Sequence, residues 1–432
     1  MGYPHRVTRR TFLSTMGGGA LAAVAAGAWI APARAGTGAN DQVVLALIGC
    51  GGMGNRHLDS LVKRTDSQVA AVCDVYIPRA QAARDKVGGS CEWYQDYRRI
   101  LDRDDIDAVF CPTPDHWHAL MTIHACQAWK DVYVEKPLST TIAEGRAMVE
   151  AARRYGRVVQ VGTQQRSLKL FQDAVGIVQS GRLGQVTAAG TWIGPNGQTG
   201  PETYEPVPEG LDWDLWLGPA PYVPFSPQRF GSFRAFHDYA NGELTNWGVH
   251  LMDIVLWAIR ENWPLSISAA GGSYRTVPGS DDHENLEILY KFRRCNVTWQ
   301  QRHSYQIDGK GYGIHFHGTA GRLFMDRESF VVEPEGLAIP ETFETGDPWI
   351  DVDSHHRNFI ECIKTRQRPN SDVELGHFAT ALVLLGAIAL DCNRTLEWDG
   401  DRERFIGDPA ADRHLSRPYR APWSLTGGGM GR

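Results

Sequence analysis

The chain has 432 residues, 42% of them hydrophobic and 22% charged, and a formal net charge of −6. That is the composition of an ordinary packed globular protein. A negative balance with no Lys/Arg cluster argues against nucleic acid or an anionic surface as a partner.

Residues 1–35 carry Arg6, Arg9, Arg10 and Arg34 and no acid. Arg9-Arg10-Thr11-Phe12-Leu13 precedes a weakly apolar, Gly/Ala-rich stretch that runs to Ile30. Ala33-Arg34-Ala35 then has the small-x-small pattern of a cleavage site. The segment reads as a twin-arginine export signal, with a general secretory signal or an uncleaved anchor as alternatives. Its apolar stretch is short for a bilayer span. The expected location is the periplasm or the exterior, and the expected partner on the way there is the Tat export machinery. Setting the signal aside leaves about 400 residues, the size of two domains.

Residues 36–165 alternate apolar strands with helical segments, the pattern of a doubly wound parallel sheet. Strands are expected at 43–48, 68–73, 108–111, 131–134 and 158–162, and helices at 53–64, 78–87, 97–102, 118–129 and 143–155. The first strand ends in Gly49-Cys50-Gly51-Gly52-Met53-Gly54, a G-x-G-x-x-G turn that opens a helix. The second strand ends in Asp74. Each part suits a dinucleotide. Gly49 makes the tight turn, Gly51 admits the pyrophosphate, and Gly54 lets helix and strand approach. Asp74 is placed to take the ribose hydroxyls, which favours NAD over NADP.

Ligands of such sheets sit beyond the carboxyl ends of the strands. Cys111-Pro112-Thr113-Pro114-Asp115-His116-Trp117-His118 and Glu135-Lys136-Pro137 both fall there. Proline holds Lys136 extended at the strand end. A lysine in that place either donates to a substrate hydroxyl and carries its proton, or is merely an exposed strand-end cation.

Residues 166–398 change character. A helix at 168–180 leads into β-like runs at 186–193, 267–274, 285–292, 296–304 and 313–318. An aromatic, loop-rich insert at about 195–240 interrupts them. An antiparallel sheet with one open face is expected. Segment 243–260 reads as one helix, and 353–365 and 376–393 as helices returning to the first domain. Residues 399–432, rich in Pro, Gly and Arg, read as a surface tail. The eight cysteines, Cys50, Cys73, Cys91, Cys111, Cys126, Cys295, Cys362 and Cys392, form no C-x-x-C pair and read as small apolar side chains. His355-His356 has the look of a metal pair. Adjacent histidines rarely share one ion, however, and no partner cluster accompanies them, so no metal is expected.

The glycine turn, Asp74, Thr113-Pro114 with His118, and Glu135-Lys136-Pro137 together resemble the glucose–fructose oxidoreductase/inositol dehydrogenase (Gfo/Idh/MocA) family over nearly the whole chain. The resemblance implies an α/β fold: a Rossmann domain followed by an α/β domain with a large open antiparallel sheet. It implies NAD(P)-linked chemistry on sugars, polyols or their acids, and a homo-oligomer, dimer or tetramer, built on the open sheet face. The family's second motif places a carboxylate four residues before a proton-transfer histidine. Here His250 matches the histidine and Asn246 stands where the acid is usual. An amide accepts and donates hydrogen bonds but is no base, which leaves proton transfer to His250 with Lys136.

By the same resemblance, Gln164 is expected at the cofactor and Arg166 at the substrate. Trp192, Tyr239, Asn246 and Asp253 are further candidates for a sugar or polyol, with Asn196, Arg234, His237 and Asp238 behind them. Asp253 is also placed to orient His250. Export sharpens the chemistry, because a cofactor loaded before export must be regenerated in place. Oxidation of one sugar coupled to reduction of another in a ping-pong cycle, and a redox-neutral glycosidase or lyase, both do this. A carbohydrate-binding scaffold that lost its base is the non-enzymatic alternative, motivated by Asn246.

Overall fold

The computed structural model describes residues 42–425 apart from 195–198, 274–280, 282, 304–305, 308 and 335–351. The export-signal reading of residues 1–35 and the candidate Asn196 lie outside the described residues.

The first sheet is built from β1 (Val43–Ile48), β2 (Ser67–Cys73), β3 (Glu92–Tyr94), β4 (Ala108–Cys111), β5 (Asp131–Val134) and β6 (Val159–Val161). Its order is β3-β2-β1-β4-β5-β6, and every pairing is parallel. Both faces are covered, which is why these strands read as unbroken apolar runs. Ala46, Ile48, Val109, Cys111, Val132 and Val134 pack on one side. Leu45, Leu47, Val72, Phe110 and Tyr133 pack on the other, where Phe359, Ile360, Cys362 and Ile363 of helix Asp353–Thr365 complete the core. The strand order reverses between β1 and β4, so a crevice opens beyond their carboxyl ends.

The second sheet comprises β7 (Val186–Ile193), β8 (Ser266–Gly272), β9 (Asn285–Lys291), β10 (Asn296–Arg302), β11 (Tyr312–Gly318), β12 (Arg322–Met325), β13 (Phe330–Glu333), β14 (Leu396–Asp399) and β15 (Arg404–Phe405). The order is β13-β12-β11-β7-β10-β9-β8-β14-β15. It is antiparallel except at β7–β10, which run parallel. One face is apolar and one open, as expected: Leu286, Ile288 and Tyr290 are buried while Leu289 between them is 42% exposed. Helices Lys169–Gln179, Gly248–Ile259 and Val373–Cys392 share the core of the covered face.

Three features depart from the sequence expectations. The segment at 243–260 is two helices, Gly242–Asn246 and Gly248–Ile259, that meet at Trp247. Strands β3 and β12 to β15 are additional. The tail is pinned rather than loose as far as Leu425. Arg420 donates to the carbonyls of Gly218 and Ala220, Tyr419 Oη donates to Glu144, and Trp423 meets Trp117 edge-on at 4.9 Å. Helix Val373–Cys392 is long and apolar enough to cross a membrane by length and composition, yet 72% of its apolar window is buried inside the protein. All eight cysteines are free, and seven are buried.

Candidate functional site

The glycine turn does what its spacing requires. Gly49 has φ +104°, which glycine alone adopts readily. A Cβ on Gly54 would strike the Gly49 carbonyl, so helix and strand touch there. Gly51 and Gly52 face open space. Helix Gly52–Leu61 has no side-chain cap at its start, which leaves its first N–H groups and the positive dipole end free for an anion. Asp74 closes the far side. Its Oδ2 accepts the Cys50 N–H at 2.7 Å and its Oδ1 the Tyr76 N–H at 2.8 Å. Burial raises its pKa, and those two bonds only partly offset it.

These groups line one cleft of about 300 Å³ with Thr113, Pro114, Glu135 and Lys136. Thr113 Oγ1 is buried with no partner among the described residues. Open glycines, an uncapped helix start, an acid at the second strand end and an unpartnered hydroxyl together fit a dinucleotide. Cys50 contributes its backbone, and its thiol donates to the Cys73 carbonyl. Arg79 lies at the Asp74 end, 4.6 Å above the Phe230 ring.

Lys136 sits at the other end, half-buried, followed by a cis peptide bond to Pro137. Its Nζ donates to Asn246 Oδ1 at 2.7 Å and to the Asn246 carbonyl at 3.0 Å. Asn246 Nδ2 donates in turn to Glu243 Oε2 at 2.9 Å, which fixes the amide with its oxygen toward the lysine. Burial first, then the positive charge of Arg234, pushes the Lys136 ammonium down to about 8; Glu135, Asp115 and Glu243 oppose this. The result is a lysine able to exchange a proton near neutrality. Burial raises the pKa of Glu135, but its bonds to His57 Nε2 at 3.2 Å and to the Lys136 N–H at 3.1 Å, with the charge of Lys136, win and hold it below the usual range.

His250 lies on the helix after the Trp247 break. Its Nδ1 is buried without a partner, and burial, then the charges of Lys136, Arg327 and Arg234, hold the imidazole well below its ordinary range. Its carbonyl accepts from Gln165, which is itself held by Arg327 stacked 4.5 Å over Trp247. The break places Asn246 on Lys136 rather than in a continuous helical turn with His250.

Several expected contacts are placed elsewhere. Arg166 and Asp253 are buried against each other, with Nε and Nη2 on the carboxylate at 2.7–2.9 Å; Asp253 therefore orients Arg166, not His250. Trp192 is buried in the large sheet, where its indole donates to the Lys310 carbonyl and its ring stacks on Phe324. Tyr239 is fully buried in the core of the aromatic insert. His118 stands behind the cleft wall: its Nδ1 and Nε2 meet the carbonyls of Pro137 and Thr113 at 2.7 and 2.9 Å, tying the two strand-end loops together. Gln164 is buried in the turn after β6, off the cleft wall. Asp238 pairs with Arg229, and the His237 backbone pairs with Asp281.

Arg234, by contrast, does line the cleft. So do Asp115, Trp117, Trp216, Phe230 and Phe233, which the sequence reading did not single out as ligands. Asp115 and Trp117 lie within the strand-end run 111–118, and the aromatics of the insert carried no signal beyond their density. Among the described residues no group of His, Cys, Asp and Glu is arranged to hold a metal.

Comparison with known proteins agrees with this geometry. Residues 43–163 match the oxidoreductase family's NAD-binding Rossmann fold, and residues 189–425 match its C-terminal alpha/beta domain. Inositol 2-dehydrogenase of Salmonella paratyphi B is 35% identical over 141 residues, which are 32% of this chain and 42% of that protein. An NAD+-linked scyllo-inositol 2-dehydrogenase of Bacillus subtilis is 31% identical over 145 residues, 33% of this chain and 42% of that one. The chain thus spans about two-fifths of the length of these curated relatives. Aldose–aldose oxidoreductase of Caulobacter crescentus shares the fold, with a TM-score of 0.63 at 19% identity over 82% of this chain and 99% of that one. With both domain matches in chain order and the second covering more than half its length, this chain belongs to the Gfo/Idh/MocA family of oxidoreductases, those with an NAD-binding Rossmann domain followed by a C-terminal α/β domain.

Proposed function

We propose that this protein oxidises a CH–OH group of a sugar, polyol or glycoside by hydride transfer to NAD, with Lys136 as the group that accepts the hydroxyl proton. The observation that carries the reading is Lys136. It lies in the same cleft as the dinucleotide-type turn, its pKa is lowered to about 8, and a neutral amide rather than a carboxylate holds it. A bound nicotinamide would supply the hydride acceptor. Gly49, Gly51, Gly52 and the helix start would hold its pyrophosphate, and Asp74 a ribose. Lys136 then orients the substrate oxygen and takes its proton, while His250, kept neutral, is available to accept or donate a hydrogen bond beside it. Asp74 would repel a 2′-phosphate, which favours NAD over NADP, although Arg79 at that end is the residue to watch.

A redox-neutral cycle, in which the substrate is oxidised transiently and reduced again, is the second reading. It is favoured by Arg9-Arg10, because an exported enzyme has to regenerate its cofactor in place. Export in folded, cofactor-loaded form and self-association as a dimer or tetramer belong to the same proposal. Fractionation of an Arg9→Lys/Arg10→Lys variant and light scattering would check them.

The central test is titration of the purified protein with NAD and NADP, followed by a panel of polyols and aldoses such as myo-inositol and glucose. NADH accumulation marks net oxidation; product formation without it marks a cycle that reoxidises its NADH in place, and a reduced second sugar among the products tells the ping-pong form from the redox-neutral one. Lys136→Met should lower turnover by roughly 10²–10⁴ while NAD binding survives. An active Lys136→Met variant, or binding lost in step with rate, removes Lys136 from the proposed role.

A further inference from the structure

Glu135 is the inner end of a hydrogen-bonded chain that runs outward through the first domain. Its Oε1 meets His57 Nε2 at 3.2 Å. His57 Nδ1 meets His356 Nε2 at 2.8 Å, and His356 Nδ1 meets Ser60 Oγ at 3.0 Å. Ser60 Oγ donates to Asp353 Oδ1 at 3.4 Å. The two imidazoles are completely buried, whereas the Asp353 side chain is 46% exposed. Phe110 and Tyr133 pack against both rings and make an apolar wall. His57 and Ser60 are three apart on one helix, and Asp353 and His356 are three apart on another, so each helix presents one pair to the other. Two buried imidazoles are a costly filling for a core unless they serve a polar purpose.

We propose that Glu135, His57, His356, Ser60 and Asp353 form a proton relay between the cleft and solvent, which brings in the proton that carbonyl reduction consumes and, run backwards, carries away the one that hydroxyl oxidation releases. The inference rests on the oxidoreductase reading above. In oxidation the substrate C–H hydride goes to the nicotinamide and the O–H proton goes to Lys136. From Lys136 it passes within the cleft to Glu135. Glu135 then gives its proton to His57 Nε2 as the His57 Nδ1 proton moves to His356 Nε2. The His356 Nδ1 proton moves to Ser60 Oγ, whose own proton goes to Asp353. Every intermediate group ends with as many protons as it began with. Glu135 is left a carboxylate, and Asp353 sheds the proton to water. The outward pass starts with both ring protons on Nδ1 and leaves them on Nε2; reduction of a carbonyl runs the same hops inward and restores Nδ1, so the chain serves a cycle in which oxidation and reduction alternate. Burial keeps His356 far below its ordinary range, so it does not trap a proton, and Glu135, held below its own range, carries the proton only in transit.

The test is 15N NMR of histidine-labelled full-length protein, with the two rings assigned by His57→Gln and His356→Gln. In the resting wild type, with Glu135 a carboxylate, both rings should carry their proton on Nε2, the state that an outward pass leaves and an inward pass starts from. In Glu135→Gln the amide oxygen stays on the Lys136 N–H, which Glu135 Oε2 accepts at 3.1 Å, and its NH2 turns to His57. Both rings should then shift their proton to Nδ1, including His356, which shows no bond to residue 135. An unchanged His356 tautomer overturns the relay. Should Glu135→Gln fail to fold, Ser60→Ala tests the outer end: solvent exchange of the His57 ring proton should slow by about tenfold or more. Unchanged exchange there also overturns it. Neither arm needs a substrate. If the wild type bound neither NAD nor NADP, the functional reading would fall on that result alone, while the histidine signals would still answer for the relay.

Discussion

Asn246 sets the character of the lysine it holds. A carboxylate in its place would favour the ammonium form, whereas the amide leaves burial and Arg234 free to press the Lys136 pKa down to about 8. A base works deprotonated, so the rate should rise as pH passes through that value. Asn246→Asp adds an opposite charge, stabilises the ammonium and should move this limb of the kcat/KM profile to higher pH by roughly 1–3 units. A limb that stays put or moves down would mean that another group sets it. The departure of Asn246 from the family pattern was legible in the sequence, and so was Lys136. What was not legible is that the two touch. Spacing places Asn246 and His250 on one helical face, but the chain breaks at Trp247, and the amide turns to the lysine instead. Arg166 and Asp253 illustrate the same limit. A charged pair in a candidate region reads as substrate contacts until burial shows each to be the other's partner, with side chains 7% and 1% exposed. Asp253→Ala strands a buried guanidinium and should cost about 3–5 kcal/mol of stability, read as a lower denaturant midpoint. Loss of turnover with stability intact would return Asp253 to the active site.

At the scale of elements, the strap formed by the tail bears on the cleft without lining it. Arg420 holds the Gly218 and Ala220 carbonyls and pairs with Asp214 at 2.5 Å; Arg417 bonds the His237 carbonyl and Asn241. These bonds pin the insert that supplies Trp216, Phe230, Phe233 and Arg234 to the cleft. Ending the chain after Leu415 removes several such bonds, each worth about 1 kcal/mol, and should weaken NAD binding by roughly tenfold or more. Calorimetric titration of the truncated protein checks this, and an unchanged Kd would show that the insert holds itself. Composition could not reveal the strap. Pro, Gly and Arg mark a segment without its own core, but arginine forks find partners by tertiary placement alone. The parallel strands β1, β2, β4 and β5 were readable because each is buried on both faces. Strands β14 and β15, four and two residues long, carry too little periodicity to register.

At the scale of the whole molecule, the two sheets do not belong to separable bodies. Helix Asp353–Thr365 follows the second sheet's first seven strands in sequence, yet Phe359 and Ile360 fill the core of the first sheet. The helix and the turn after it are stitched to the first domain: Gln160 Nε2 donates to the His355 carbonyl at 2.9 Å, the Val161 N–H to the Ser371 carbonyl at 2.9 Å, and Arg153 of helix Ile142–Arg154 pairs with Asp372. Gly376 crosses Val161 so closely that a Cβ would collide with it. Helix Val373–Cys392 then returns to the core of the large sheet. Neither core is complete without residues from this return segment, so the described chain should melt in one transition. NAD at a hundred times its Kd should stabilise that single transition by about 2.7 kcal/mol, although every proposed cofactor contact lies in the first domain. Differential scanning calorimetry with and without NAD decides the matter. Two transitions, with only one responding to NAD, would mean that the return segment tethers the domains without coupling them. One transition moving as a unit would mean that cofactor occupancy is felt as far as the outer strands of the large sheet.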